Sequence, residues 1–332
     1  MMKQVCAQGG GGPAVKAPRC GMARRVVLPV LLLAGLTAAT AVAQYPGRLV
    51  FQKDSLYDPI YVYQYGSVVT LQFGRRYAYL YQSQVDVSNP RLHMLEYTRL
   101  AFCGLLYKPE PKRLLVLGLG GGVIPREMRS YFPEMEIDVA EINPEVPSTA
   151  ERYFGFRTDE KLRVHVEDGR VFVRKELAKK PVPKYDVVIL DAFNADYIPF
   201  HLMTKEFLEE VKDILSDDGV VVANVFYDNQ LCDAEMKTFL AVFGRCQAYF
   251  AATATNAMLV ALGPKAPELT AERAAQRAAE LQGKHRFAFD LPTVAARLRP
   301  DIAPNPQAMV LTDDRAPVDW LREQKTPVAP AF

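Results

Sequence analysis

The stretch LLVLGLGGG, residues 114–122, decides the fold. Its first four residues form a continuous apolar run, which is typical of a parallel strand buried on both faces of a sheet. The glycines that follow allow the backbone to approach a ligand closely and to present its amides at the start of a helix. The stretch therefore predicts a strand, a ligand-binding loop and a helix, although such a loop can also be only a tight turn.

Further apolar runs follow this first strand, and the residues between them have helical patterns. The runs occupy residues 137–140, 162–166, 187–190 and 220–223, and residues 258–262 are a plausible last strand. Alternation of buried strands with helices indicates βαβ units in one sheet. We therefore predict a doubly wound α/β domain.

The residues upstream of this domain have a different pattern. Residues 49–84 alternate β-forming residues with turn signals, and residues 92–106 have the pattern of a helix. This pattern predicts a small antiparallel sheet with a linking helix. The predicted units are a leader over 1–43, the β domain with its helix over 44–108, the α/β domain over 109–325 and a tail over 326–332.

The N-terminus has the features of an export signal. The pair Arg24-Arg25 precedes an apolar run, residues 26–36, and Ala41-Val42-Ala43 supplies the small-x-small pattern of a cleavage site. Residues 26–43 could instead remain as a membrane anchor, although they are short for a spanning helix. In both cases the positive flank predicts that the body lies outside the cytoplasm, in the periplasm or the extracellular space.

The composition excludes several classes of protein. With 49% hydrophobic and 23% charged residues, the chain is neither disordered nor a disulfide scaffold. Five of its 40 basic residues and none of its 38 acidic residues precede residue 44, so the remainder is slightly acidic and no nucleic-acid partner is expected. Beyond the leader, Cys103, Cys232 and Cys246 have no CxxC spacing, so we expect no metal site and at most one disulfide.

Acidic residues stand at the ends of the predicted strands, where open α/β sheets bind their ligands. Glu141 ends the second strand and could accept both hydroxyls of a ribose, or it could be an exposed strand-end acid. Asp168 ends the third strand and could accept the amino group of adenine, or it could only cap the following helix. Asp191 ends the fourth strand and would face the reacting end of a bound nucleoside. The nearby His201 could line the same pocket, although a lone histidine is more often structural.

The ordered set of motifs resembles the spermidine synthases and the related spermidine synthase-like proteins. The matching segments are residues 116–127 for the glycine loop with its Arg-Glu, 140–143 for Val-Glu-Ile-Asp, 167–170 for Gly-Asp-Gly-Arg and 185–191 for the strand of the catalytic aspartate. The resemblance covers most of residues 50–262. It implies a Rossmann-like, seven-stranded methyltransferase-type sheet preceded by a small N-terminal antiparallel β domain, and a homodimer.

The resemblance also implies a reaction, the transfer of an aminopropyl group from decarboxylated S-adenosylmethionine to a polyamine such as putrescine. Asp191 would be the catalytic general base, Glu141 would hold the ribose and Asp168 the adenine amino group. The implied nucleoside-binding residues are Gly118, Gly120, Gly122, Glu141, Asp168 and Gly169, and the candidates for the amine side are Asn194, Asp196 and His201. No metal is expected.

Two positions depart from the family pattern, and the family's Asp-Glu-x-x-Tyr-His-Glu stretch is not recognisable in residues 88–97, which stand in its place. The family's glycine loop has Asp where this chain has Gly121, and its second aspartate is Asn194 here. Fewer carboxylates would weaken the binding of a doubly charged amine. A methyltransferase that uses S-adenosylmethionine is one alternative, because the lack of a side chain at Gly121 would make room for the donor's carboxylate. A non-catalytic nucleoside- or polyamine-binding protein is another, because neither donor is expected to be plentiful outside the cytoplasm.

Overall fold

The computed structural model describes residues 47–74, 81–193 and 198–324, which contain two sheets. The N-terminal sheet consists of β1 (Arg48–Lys53), β2 (Ile60–Tyr65), β3 (Val68–Phe73) and β4 (Ser83–Asp86). The central sheet consists of β5 (Arg113–Leu117), β6 (Glu136–Glu141), β7 (Leu162–Val166), β8 (Tyr185–Leu190), β9 (Leu215–Phe226), β10 (Cys246–Phe250), β11 (Asn256–Leu262) and β12 (Leu298–Arg299).

The helices lie mostly between the strands of the central sheet. They are α1 (Glu96–Leu100), α2 (Gly104–Tyr107), α3 (Val123–Tyr131), α4 (Glu145–Tyr153), α5 (Gly169–Ala178), α6 (Lys205–Ile214), α7 (Gln230–Phe243), α8 (Ala271–His285), α9 (Leu291–Ala295) and α10 (Val318–Glu323). Short 3₁₀ helices occupy Ala101–Cys103 and Phe200–Leu202. In the described residues no helix is both long and apolar enough to cross a membrane.

The N-terminal sheet is antiparallel, with the strand order β1-β2-β3-β4. Tyr65 pairs with Val68 across a tight turn, in which Gly66 has the positive φ of 58° that glycine adopts without strain. Buried side chains of β2 and β3 pack in the same apolar cluster as the segment from α1 to α2 and one face of the central sheet. The small sheet is therefore fixed beside the central sheet by a shared core.

The central sheet has the order β12-β10-β11-β9-β8-β5-β6-β7. Strands β5 to β9 pair in parallel, whereas β10, β11 and β12 pair antiparallel at one side. Strand β5 lies between β6 and β8, so the chain reverses its direction of winding there. Ligands of open α/β sheets bind at this kind of reversal, outside the carboxyl ends of the strands.

The predicted fold class is confirmed, with differences in detail. Each predicted apolar run forms a strand, but β10 was missed and the two-residue β12 makes the sheet eight-stranded. Strand β10 is fully buried although it contains Gln247, whose side chain is bonded to the backbone of Leu269 and to the hydroxyl of Tyr107. The helix predicted from residue 92 begins at Glu96 and is interrupted by a 3₁₀ turn.

Three further predictions concern the disulfide, a metal site and the leader. Cys103, Cys232 and Cys246 are buried free thiols, so the disulfide that the sequence allowed does not form among them. Within the described ranges, no group of His, Cys, Asp and Glu side chains is arranged to hold a metal ion. Residues 1–43 lie outside the described residues, so the export signal and the anchor stay predictions.

Candidate active site

A cavity of about 800 Å³ opens at the carboxyl ends of the parallel strands. Strands β5, β6, β8 and β9, or the residues directly after them, all contribute to its wall. Seven of the predicted site residues line it, and these are Gly118, Gly120, Glu141, Asp168, Gly169, Asp191 and His201. Asn194 and Asp196 lie outside the described residues, so their roles stay predictions.

Gly118 allows the glycine loop to pass close to the loop after β8. Its φ is 95°, and a Cβ atom at this position would lie 2.4 Å from the carbonyl oxygen of Asp191. Its amide donates to the carbonyl oxygen of Ala140 at 2.8 Å, which ties the loop to β6 as well. Any other residue here would push the two loops apart at the floor of the cavity.

Gly121 and Gly122 do not line the cavity. A Cβ atom at Gly122 would lie 2.4 Å from the ring of Phe156, so this glycine serves the start of α3, and its contact with a nucleoside stays a prediction. A Cβ atom at Gly121 would lie 2.8 Å from both Phe154 Cδ1 and Ser83 Cβ. The lack of a side chain at Gly121 therefore accommodates neighbouring protein atoms and makes no room for a donor's carboxylate.

Glu141 is buried at the end of β6, where its carboxylate fixes the glycine loop. Its Oε2 accepts a hydrogen bond from the Leu119 amide and its Oε1 from the Asn143 amide, each at 2.9 Å. Burial raises the pKa of Glu141 above its ordinary value, although these backbone amides stabilise the charged form. Glu141 is thus an acceptor with a fixed orientation in the cavity wall, rather than an exposed strand-end acid.

Asp168 caps α5 and also lines the cavity, so the capping role is confirmed and the contact with adenine stays a prediction. Its Oδ1 accepts from the amides of Arg170 and Val171, and its Oδ2 lies 2.8 Å from His201 Nε2. Burial would raise the pKa of Asp168, but the hydrogen bonds from His201 and the amides outweigh it and keep the pKa below its ordinary value. The structure pairs His201 with Asp168, and the predicted contact of His201 with the amine stays a prediction.

Asp191 follows β8 and faces the cavity. Its amide donates to the Leu117 carbonyl oxygen at 2.9 Å, and its Oδ1 accepts from Asn224 Nδ2 at 2.8 Å. Burial raises the pKa of Asp191 to about 7, against a smaller lowering by the Asn224 hydrogen bond. A carboxyl group with a pKa near neutrality can take up and release a proton at physiological pH.

Two asparagines of this site were missed by sequence reasoning. Asn256 Nδ2 donates to Asn224 Oδ1 at 2.9 Å, which extends the hydrogen bond between Asn224 and Asp191. A signal for Asn224 was present, because it interrupts the apolar residues of β9, and a polar side chain in a buried strand requires a partner.

Glu96 also lines the cavity, but its carboxylate is occupied by the loop between β10 and β11. It accepts hydrogen bonds from the Ala252 amide, the Thr253 amide and the Thr253 hydroxyl, at 2.9, 2.8 and 2.6 Å. Arg99 lies 3.8 Å away and compensates part of its charge. Glu96 therefore holds one wall of the cavity in place.

Comparison with known families identifies the chain. A family model described as the spermine/spermidine synthase domain matches residues 94–270, more than half of the sequence. The chain belongs to the spermine/spermidine synthase family. This membership confirms the resemblance noted from the motifs and the predicted enzyme class, a transferase.

Individual relatives agree with this assignment. The polyamine aminopropyltransferase of Vibrio vulnificus strain CMCP6 is 34% identical over 302 residues, which cover 90% of this chain and 98% of that protein. The crystal structure of a spermidine synthase with the transition-state analogue AdoDATO has a TM-score of 0.57 at 18% identity, covers 75% of this chain and 84% of that chain, and shows the fold alone. Human methyltransferase-like protein 13 in complex with SAH has a TM-score of 0.53 at 27% identity, over 58% of this chain and 93% of that chain.

Proposed function

We propose that this protein transfers the aminopropyl group of decarboxylated S-adenosylmethionine to a polyamine such as putrescine. The observation that carries the proposal is Asp191, a carboxyl group with a pKa raised to about 7, in a cavity that Glu141 and Asp168 also line. The similarity to the Vibrio vulnificus polyamine aminopropyltransferase over 90% of the chain supports the same reaction.

The nucleoside half of the donor fits the wall made by β5, β6 and β7. The Glu141 carboxylate, which the backbone amides of Leu119 and Asn143 hold in place, lines the cavity where the ribose hydroxyls can donate to it. Asp168 keeps acceptor capacity on Oδ2 beside His201, where the amino group of adenine can donate. The carboxylates also attract a sulfonium donor and an ammonium acceptor, both of which are positively charged.

The reaction requires a deprotonated amine. In water the acceptor is an ammonium ion, so Asp191 first removes a proton as the general base. The freed nitrogen lone pair then attacks the propyl carbon next to the sulfonium, a C–N bond forms and the C–S bond breaks. The bonding electrons move to sulfur, and methylthioadenosine leaves as a neutral thioether. Since only the charged form of Asp191 can accept the proton, the rate should rise with pH through about 7.

The two alternatives are separated by their products. Methyl transfer would convert S-adenosylmethionine into S-adenosylhomocysteine, and the argument that favoured it fails because the space at Gly121 is filled by Ser83 and Phe154. A binding protein would retain the donor without turnover. The predicted export, the membrane anchor and the homodimer stay predictions.

The test is product analysis with the full-length protein. Decarboxylated S-adenosylmethionine is incubated with putrescine, cadaverine or spermidine, and methylthioadenosine is quantified by chromatography. We expect amine-dependent release of methylthioadenosine, reduced roughly 10²- to 10⁴-fold by Asp191→Asn. Asp217→Asn is the matched control, because Asp217 is exposed, pairs with Lys265 and does not line the cavity. Formation of S-adenosylhomocysteine instead, or binding of the donor without turnover for any amine, would refute aminopropyl transfer.

A further inference from the structure

Asn224 occupies an unusual place in the central sheet. It lies near the carboxyl end of β9, is only 3% exposed and is surrounded along the strand by Val222, Ala223, Val225 and Phe226. The preceding Ala223 pairs with Leu190, so Asn224 stands beside the residue that follows β8, which is Asp191. A buried amide among apolar residues costs stability unless its hydrogen bonds are made, so its presence needs a reason.

The hydrogen bonds of this amide define its orientation. An ionised Asp191 can only accept, so Asn224 must turn its NH₂ group toward Asp191 Oδ1, at 2.8 Å. The Asn224 carbonyl oxygen then faces away and needs a donor, which Asn256 Nδ2 provides at 2.9 Å. A rotation of the Asn224 amide by half a turn would break both bonds at once. In this arrangement Asn256 donates to Asn224 and Asn224 donates to Asp191, which favours the charged form of the carboxyl group.

We propose that Asn224 and Asn256 are positioning residues that hold the Asp191 carboxylate in one orientation and in its charged form, with its remaining acceptor capacity directed to the amine. This inference rests on the proposed function of Asp191 as the general base. Of the described residues, Asn224 is the one that donates to this carboxylate, so the orientation of the base depends on a single amide. Asn256 acts through Asn224 and fixes which of its ends faces the base.

Other ionisable groups share the cavity wall with Asp191, and none of them is changed in the test. Tyr97 lies on α1 and feels the charge of Asp191, and its hydroxyl donates to the Gln82 carbonyl oxygen at 2.6 Å. The other ionisable side chains of the described cavity wall are Tyr57, Tyr81, Glu96, Glu141, Asp168 and His201. A change in the pKa of Asp191 in an asparagine variant can therefore be attributed to the loss of that asparagine's hydrogen bonds.

The test titrates Asp191 directly by carbon NMR of the side-chain carboxyl group in the full-length protein, with the signal assigned from Asp191→Asn. Asn224→Leu and Asn256→Leu remove the donors while they conserve volume and charge. We expect the Asp191 pKa to rise by about one unit in Asn224→Leu, and by less in Asn256→Leu. Asn256→Ser keeps a donor and should restore part of the effect. Asn305→Leu, outside the cavity, should leave the titration unchanged.

Turnover adds an independent readout. On the high-pH plateau, where Asp191 is charged in every variant, kcat should fall roughly 10- to 100-fold in Asn224→Leu while KM for the donor stays the same. Identical Asp191 titrations in wild type and both leucine variants would overturn the inference. If the wild type makes no methylthioadenosine, the proposed function fails, but the NMR titration still decides whether the asparagines control the carboxyl group. Asn256 is half-buried at the start of β11, so Asn256→Leu serves if Asn224→Leu does not fold.

Discussion

Replacement of Asp191 by asparagine should slow transfer strongly and also stabilise the fold, and the gain in stability should depend on pH. The pKa of Asp191 is raised from 3.8 to about 7 by burial. Between these two values the folded protein binds a proton that the unfolded chain has lost, so the free energy of unfolding decreases as pH rises. Below pH 3.8 this penalty is absent, and above pH 7 it is complete.

The size of the effect follows from the shift in pKa. One unit corresponds to about 1.4 kcal/mol, so a shift of this size corresponds to about 4 kcal/mol above pH 7. The cavity-facing part of Asp191 keeps contact with solvent, which reduces the figure to about 2 kcal/mol. Asparagine does not ionise, so the variant lacks this free-energy penalty. For a chain of this size we expect Asp191→Asn to raise the Tm by roughly 5 °C at pH 8.5, and by much less at pH 5.

The assay is a series of thermal melts followed by circular dichroism from pH 5 to pH 9. Asp217→Asn is the matched control with the opposite sign, because the hydrogen bond from Lys265 lowers the pKa of Asp217 and the charged form is the favoured one. A Tm difference between Asp191→Asn and wild type that does not change with pH would refute the reasoning. A loss of stability in Asp191→Asn at pH 8.5 would do the same.

Two further predictions concern the donor side of the cavity. Gly121→Asp restores the family's acid, but Phe154 and Ser83 occupy the space that its Cβ atom would need. This variant should therefore lower the free energy of unfolding by about 1 to 3 kcal/mol and weaken methylthioadenosine binding. An unchanged Tm and an unchanged calorimetric affinity would contradict this prediction. Asp168→Ser keeps an oxygen that caps α5 but removes the carboxylate, so Tm should change little while calorimetric affinity for methylthioadenosine falls roughly 10-fold or more. Asp168→Ala should lose both the cap of α5 and the affinity for methylthioadenosine. Equal Tm values for Asp168→Ser and Asp168→Ala would contradict the assignment of the cap to the oxygen that serine keeps.

Much of the fold and of the cavity wall could be predicted, because both depend on local patterns. Parallel strands buried on both faces appear as continuous apolar runs, and the loops after them carry the ligand groups. Residues that follow different strands meet at one edge of the sheet whatever their distance in sequence. Glu141, Asp168 and Asp191 are therefore found in one cavity, as their positions at or shortly after the ends of β6, β7 and β8 predicted.

The rest depends on contacts between distant segments, which no local pattern encodes. Strand β10 was missed because Gln247 lies in a fully buried strand, and its partners come from α2 and from the segment before α8. Gly122 fits the family motif, yet the ring of Phe156 decides that it faces away from the cavity. The pairing of His201 with Asp168 likewise joins residues 33 positions apart, through a 3₁₀ helix with no clear sequence signal.

The glycine loop shows how a departure from the family pattern can be structural in origin. Ser83, on β4 of the N-terminal sheet, accepts a hydrogen bond from the Gly121 amide at 2.8 Å, and its Cβ occupies the space that an acid at this position would need. A backbone amide of the loop that could otherwise bind a ligand is thus satisfied by another part of the protein. The N-terminal sheet therefore helps to shape the glycine loop at the proposed donor site, and we expect changes in β4 to affect nucleoside binding even though Ser83 does not line the cavity.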